Sequence, residues 1–303
     1  MSVKTVQAII NGQTYNLTYN SNTQKYEATV TAPNKSSYPL TGHYYPVTVK
    51  ATDDAGNVTT KDSSDSVLGN SLKLKVKEKT PPTIVITYPT ASAVITNNKP
   101  VIRWKVTDDD SGVNPDSIGI TIDSNSKITG SDIIKTQVTN GYECIYTPAT
   151  ALSDGSHVVK VDASDYDGNV AQQKTVSFKV DTIPPILNIS SPVENLVTNN
   201  ANITLAGNTN DVTSSPVTIS YKLNNGTATN VTVNSDGSFS TTIKGINGQN
   251  TLEITATDSA GKKTVITRHF KVDTGAPVIH SVTITPNPVD SGKTFVIAVE
   301  VTD

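Results

Sequence analysis

One nine-residue pattern occurs three times in the chain and constrains its fold more than any other feature. Residues 49–57 read Val-Lys-Ala-Thr-Asp-Asp-Ala-Gly-Asn, residues 161–169 read Val-Asp-Ala-Ser-Asp-Tyr-Asp-Gly-Asn, and residues 254–262 read Ile-Thr-Ala-Thr-Asp-Ser-Ala-Gly-Lys. Each copy predicts a strand, a tight turn and a returning strand. Leading into the turns, Val47/Val49/Ala51, Val159/Val161/Ala163 and Leu252/Ile254/Ala256 alternate at period two, so one face is buried and the other solvated. The glycine supplies the positive φ that such a hairpin needs. A repeat of this length defines the structural unit before any single strand is assigned.

A second repeat marks where each unit ends. Phe178–Pro185 matches Phe270–Pro277, and Lys75–Pro82 is a looser copy; each reads as a last strand running into a linker stiffened by proline. The linker prolines Pro82, Pro185 and Pro277 recur at 103 and 92 residues, close to the roughly 100 residues of an immunoglobulin-type sandwich. The expected fold is therefore all-β: tandem immunoglobulin-like β-sandwich domains joined by short Pro-containing linkers, with too few free linker residues for independent tumbling. Expected boundaries are 1–79, 80–182, 183–274 and a partial segment 275–303. Composition agrees, since aromatics are 5% and Met occurs once while β-branched and turn-forming residues abound. With one cysteine, Cys144, no intrachain disulfide is available. The cores must hold by packing, and Trp104, flanked by Ile102 and Val106 at period two, is the expected centre of one of them.

The segment from Asp154-Gly155-Ser156-His157 to Asn169 resembles the bacterial Ig-like domains, and the likeness extends over nearly the whole chain. In that family a tyrosine six residues before the repeat alanine often forms a tyrosine corner. Tyr45 fits that place, whereas His157 and Asn250 depart from it.

The ends of the sequence carry two complementary pieces. Pro277–Asp303 has the order of strands A and B of the second unit, Ile84–Tyr88 and Val101–Asp108, and Phe295, Ile297, Val299 and Val301 form an apolar stripe. Conversely, Val3–Gly12 resembles Val217–Gly226, which stands at strand C of the third unit, so the first unit is expected to lack A and B. Donation of the C-terminal strands from one molecule to the head of another, giving a head-to-tail assembly, is the corresponding expectation.

No catalytic pattern is expected. His43, His157, His269 and His280 fall in different repeats, Cys144 has no histidine near it in the pattern, and nucleophile elbows, phosphate loops and paired zinc motifs are absent. The carboxylates are more informative. Asp108 and Asp110 close strand B, while Asp165 and Asp167 lie in the F–G turn, and these two loops share one end of a sandwich. Hard oxygen donors there suit Ca²⁺, with Glu78 reaching in from the linker; Asn208, Asn210, Asp211 and Asp258 are a weaker set in the third unit. Ordinary turn chemistry accounts for the same residues without an ion. Tyr38, Tyr44 and Tyr45 form a second candidate patch, for stacking on a sugar or docking a protein.

A net charge of −3 with scattered basic residues offers no stripe for a phosphate backbone, so nucleic acid is not an expected partner. The start shows no signal-peptide pattern and no window suits a membrane span. The N-terminus and Val299–Asp303 resemble Ig-like proteins of phage tails and phage-like contractile particles. That resemblance implies a virion component made in the host cytoplasm, whose partners are tail proteins or further copies of itself. The alternative is an extracellular or cell-surface spacer of an adhesin or a glycan-degrading protein.

Overall fold

The structure, a computed structural model, describes residues 2–303. It is all-β, a tandem array of immunoglobulin-like sandwiches, as the alternation predicts. Among the described residues the helical elements are short 3₁₀ turns, and none is long and apolar enough to cross a membrane. Contacts divide the chain into two compact units, Met1–Ala93 with Asn97–Val180, and Val94–Thr96 with Asp181–Asp303.

In the first unit, residues 2–79 form a sheet ordered Lys25–Glu27, Gln13–Asn20, Val3–Ile10, Tyr45–Asp53 and Val58–Lys61. Its first hairpin turns on Asn11 and Gly12, whose φ values are both positive, 48° and 74°, as a tight two-residue turn requires. No second sheet faces it among the described residues, and Tyr45 and Leu72 are the only buried large apolar side chains of this segment.

The remainder of the first unit is a full sandwich. One sheet runs Ile134–Val138, Gly141–Tyr146, Ile102–Thr107, Thr83–Tyr88; the other contains Gly119–Ile122, Gly155–Asp162 and Lys174–Val180. Ile102, Trp104 and Val106 all point inward and are essentially sealed from solvent. Trp104 lies opposite Cys144 in the register, so a lone buried thiol stands beside the tryptophan and no disulfide crosses between the sheets. Burial in this apolar setting pushes the Cys144 thiol up to about 12, which keeps it protonated and unreactive.

The second unit repeats the sandwich. Ile186–Ser191, Asn202–Asn210 and Ser238–Lys244 form one sheet; Leu196–Thr198, Lys263–Val272, Gly248–Thr257, Thr218–Leu223 and Thr229–Val231 form the other. Leu205, Phe239, Leu252, Ile254 and Phe270 fill the space between them. Beyond it, Val278–Thr285 and Val296–Thr302 pair as an antiparallel hairpin in which every strand residue is exposed.

Each corner position binds backbone, by different chemistry in each repeat. Tyr45 is buried and its Oη donates to the Lys35 carbonyl at 3.2 Å. At the two positions where tyrosine is replaced, the side chain reaches back four residues. His157 Nε2 meets the Ser153 carbonyl at 2.7 Å, and Asn250 Nδ2 donates to the Ile246 carbonyl at 2.7 Å while its Oδ1 accepts the Ile246 N–H at 2.9 Å. The departures from tyrosine therefore preserve the tie between strand and loop. His157 also places Nδ1 2.8 Å from Asp123 Oδ2. Both ring nitrogens thus face acceptors, an arrangement that favours the imidazolium.

Two outcomes follow from this packing. Trp104→Ala should lower the stability of the first unit by about 3–5 kcal/mol, read by calorimetry. Trp104→Phe should cost less, because the indole N–H is buried without a partner and its loss carries no penalty. For His157, burial opposes the charge, but the Ser153 carbonyl and the Asp123 carboxylate outweigh it and raise the pKa above the ordinary 6.5. A raised folded-state pKa contributes stability that is complete below about 6.5 and fades as pH rises through the folded value. The melting temperature of the first unit should therefore fall on going from pH 6 to pH 8, and His157→Asn should flatten that slope; a flat wild-type profile would contradict it.

Candidate functional site

The repeat aspartates first serve the turn. Asp53, Asp165 and Asp258 each accept, through Oδ1, the backbone N–H four residues on, at 2.8 Å from Asn57, 2.8 Å from Asn169 and 2.9 Å from Lys262. The intervening Gly56, Gly168 and Gly261 hold φ near 90°, at 88°, 92° and 84°, in a region where a side chain would be strained. The second oxygen, Oδ2, is then available for something else. Asn57 Nδ2 donates to it in Asp53 at 2.9 Å, and Asn169 Nδ2 to that of Asp165 at 2.6 Å. Position 262 is lysine, and Asp258 Oδ2 has no partner.

In the first unit the turn carboxylate meets two others. Glu78, Asp108 and Asp165 each place one oxygen within 4.8 Å of the others. The sequence brings them from three places: the segment before strand Thr83–Tyr88, the end of Ile102–Thr107 and the turn after Gly155–Asp162. Their oxygens are well supplied with donors. Asp108 Oδ1 accepts from Gly112 N–H at 2.7 Å and Asp110 N–H at 3.0 Å. Glu78 Oε1 accepts from Ser111 Oγ at 3.1 Å and Asn169 Nδ2 at 3.0 Å.

Burial and a hydrogen bond to Asp165 raise the Glu78 pKa. For Asp165 burial works the same way but is outweighed by bonds from Asn169 and Glu78, which lower it. The contact between the two carboxylates thus shifts them in opposite directions, Glu78 upward and Asp165 downward.

Two of the four expected ligands lie outside this trio and join the leading segment to the sandwich. Asp110 Oδ1 accepts from Ser36 N–H at 2.8 Å, with Lys35 Nζ at 3.9 Å. Asp167 Oδ2 accepts from Glu78 N–H at 3.0 Å, and Lys77 Nζ donates to the Asp167 carbonyl at 3.1 Å.

The tyrosine patch separates into three roles. Tyr45 is the buried corner, Tyr44 lies under Lys73 Nζ at 5.3 Å, and Tyr38 stacks between His43 and Tyr166, each 4.2 Å away. Beside Tyr166 an open cavity of about 320 Å³ is lined by Pro39, Asp109, Gln137 and Tyr142.

In the second unit Asp181, Asp211 and Asp258 make the corresponding trio, again with oxygens within 4.8 Å of one another, and here all three residues are buried. Asn208 and Asn210 are not part of it; they lie on the exposed face of Asn202–Asn210, and Asn208 Oδ1 accepts from Asn188 Nδ2. Asp181 was not legible as a ligand, because in sequence it reads as part of the linker copy. Its one signal is position: it follows the last strand of a repeat by a single residue, as Asp273 does.

At the remaining candidate positions, Phe295, Ile297, Val299 and Val301 are 48%, 58%, 50% and 49% exposed, so the stripe has no cover among the described residues.

Residues 88–182 match the family model described as bacterial Ig-like domain, and residues 185–274 match that described as glucodextranase, domain B. Among curated proteins no match was found. Similar solved structures include an I-band fragment from titin, 15% identical, covering 90% of this chain and 88% of that one with a TM-score of 0.43. The fibronectin(III)-like modules of Clostridium thermocellum CbhA are also 15% identical, covering 63% of this chain and 94% of that one with a TM-score of 0.35.

Proposed function

We propose that the chain is a non-enzymatic spacer and docking array in a secreted or cell-surface bacterial protein that works on glycans. The observation that carries this reading is the match of residues 185–274 to a domain of glucodextranase, next to a sandwich that matches bacterial Ig-like domains. The chemistry of the side chains supports it. His157 is committed to Asp123 and Ser153, His269 to Glu194, and Cys144 is buried and protonated. The alternative, a component of a phage or phage-like tail, draws on sequence resemblance, and no feature of the fold favours it over the spacer.

The exposed hairpin Val278–Thr302 supports a second reading, self-association. In both complete sandwiches the strand equivalent to Val296–Thr302 is paired on its inner side, Ile102–Thr107 with Gly141–Tyr146 and Asn202–Asn210 with Ser238–Lys244. The sequence Tyr26-Glu27-Ala28-Thr29-Val30-Thr31 resembles Tyr142–Thr147, yet residues 28–33 form no strand. Our proposal is that the hairpin of one copy adds to Tyr26–Thr31 of another. Transferring the pairing of Tyr142 with Val106 and Cys144 with Trp104 sets Val301 opposite Tyr26 and Val299 opposite Ala28.

Two measurements test these readings. The intact chain, incubated with α- and β-glucans, should release no reducing ends, and hydrolysis would overturn the spacer. Retention in glucan-containing affinity gels that is lost in Tyr166→Ala would make the array a binding module as well. By light scattering, the intact chain should exceed 32.1 kDa as concentration rises, and deletion of Pro277–Asp303 should return it to a monomer. An intact chain that stays monomeric at high concentration would refute the strand exchange.

A further inference from the structure

The Asp181, Asp211 and Asp258 cluster, unlike its counterpart, contains a buried carboxylate oxygen with no hydrogen-bond partner, and that atom points to a ligand. Asp211 Oδ1 accepts from the N–H groups of Thr213 at 2.8 Å and Ser214 at 2.6 Å. Asp181 receives the Ser214 hydroxyl on Oδ2 and the Ile183 N–H on Oδ1. Asp258 Oδ1 is taken by Lys262 N–H, but Asp258 Oδ2 is buried with no hydrogen-bond partner, in a residue only 6% exposed. Neither Asp211 nor Asp258 forms an ion pair among the described residues. Three carboxylates this close and this buried repel one another, and an unsatisfied charged oxygen among them is costly unless it is neutralised.

We infer that this cluster is a divalent-cation site, with Ca²⁺ as its ion. The donor set is oxygen alone, which selects hard cations over zinc or copper. Several carboxylates supply charge without demanding the strict octahedron that Mg²⁺ prefers, and Ca²⁺ accepts six to eight oxygens at irregular angles. The scaffold is ordered independently of the ion. Ser259 donates through both N–H and Oγ to the Ser214 carbonyl, each at 2.9 Å, and so ties the turn of Asp258 to the loop of Asp211.

The comparison within the chain explains why the site lies here rather than in the first unit. There Asn169 occupies Asp165 Oδ2 and Glu78 Oε1 with its own amide. At the equivalent position Lys262 contributes only its backbone N–H and leaves Oδ2 for the ion.

Isothermal calorimetry and differential scanning calorimetry on the full chain, with Ca²⁺, Mg²⁺ or EDTA, test the inference. Ca²⁺ at about a hundredfold above its Kd should raise the melting temperature of the second unit by about 5–15 °C and bind with one strong site per chain. Asp258→Asn preserves the acceptor for Lys262 N–H, so the turn should fold. It should weaken Ca²⁺ binding at least tenfold and, in EDTA, melt no lower than wild type because the orphaned charge is gone. Lys262→Asn restores the amide found at positions 57 and 169 and should likewise weaken binding while raising the ion-free melting temperature. Three results would overturn the assignment: no heat or shift with Ca²⁺, a response unchanged in Asp258→Asn but lost in Asp165→Asn, or a stronger response to Mg²⁺ than to Ca²⁺.

Discussion

In every repeat the strand that carries the Val-x-Ala or Ile-x-Ala pattern ends on an aspartate whose Oδ1 accepts a backbone N–H four residues on, and much of the molecule is arranged around that bond. It closes the turn that aligns two strands of each sheet. It also holds a carboxylate at one chosen end of the sandwich, beside the loop that follows the second strand. A side chain selected for turn geometry thus delivers negative charge to a defined place. What that charge does depends on its neighbours, and here they differ between repeats.

Without a disulfide, the two complete sandwiches rest on apolar packing between sheets and on polar ties at their corners. Trp104, its cross-strand neighbour Cys144 and Phe178 are buried in one core, and Phe239 with Phe270 in the other. The corner ties show that geometry rather than residue type is retained. Tyrosine, histidine and asparagine all reach a backbone carbonyl from the same strand position. Each tie gives the buried side chain's own polar group a partner.

The two carboxylate trios are built from the same three positions and reach different electrostatic solutions. Where asparagine follows the turn, its amide donates to two of the carboxylates; where lysine follows, Asp258 Oδ2 is left without a donor. The sequence places more acids at this end of the first unit than in the second. Counting charges ignores how many donors already serve them, and that number is a property of folded contacts.

The sequence by itself determined the all-β class, the repeat and the turns, because alternation at period two and an Asp-x-x-Gly turn are local properties carried by residues adjacent in the chain. It also made Ile102, Trp104 and Val106 legible as core, and it located Asp108 and Asp165 at one end of a sandwich. Only the tertiary structure decided which carboxylates meet. The sequence already grouped Asp211 with Asp258, but Asp181 comes from a linker, and nothing in its spacing announces that its carboxylate joins theirs. The tertiary structure likewise decided that Asp110 and Asp167 tie two segments together, and that Asp258 Oδ2 is left over. A carboxylate oxygen can accept more than one hydrogen bond, so what leaves one open to a ligand is how few donors reach it, and that tally exists only once the chain has folded.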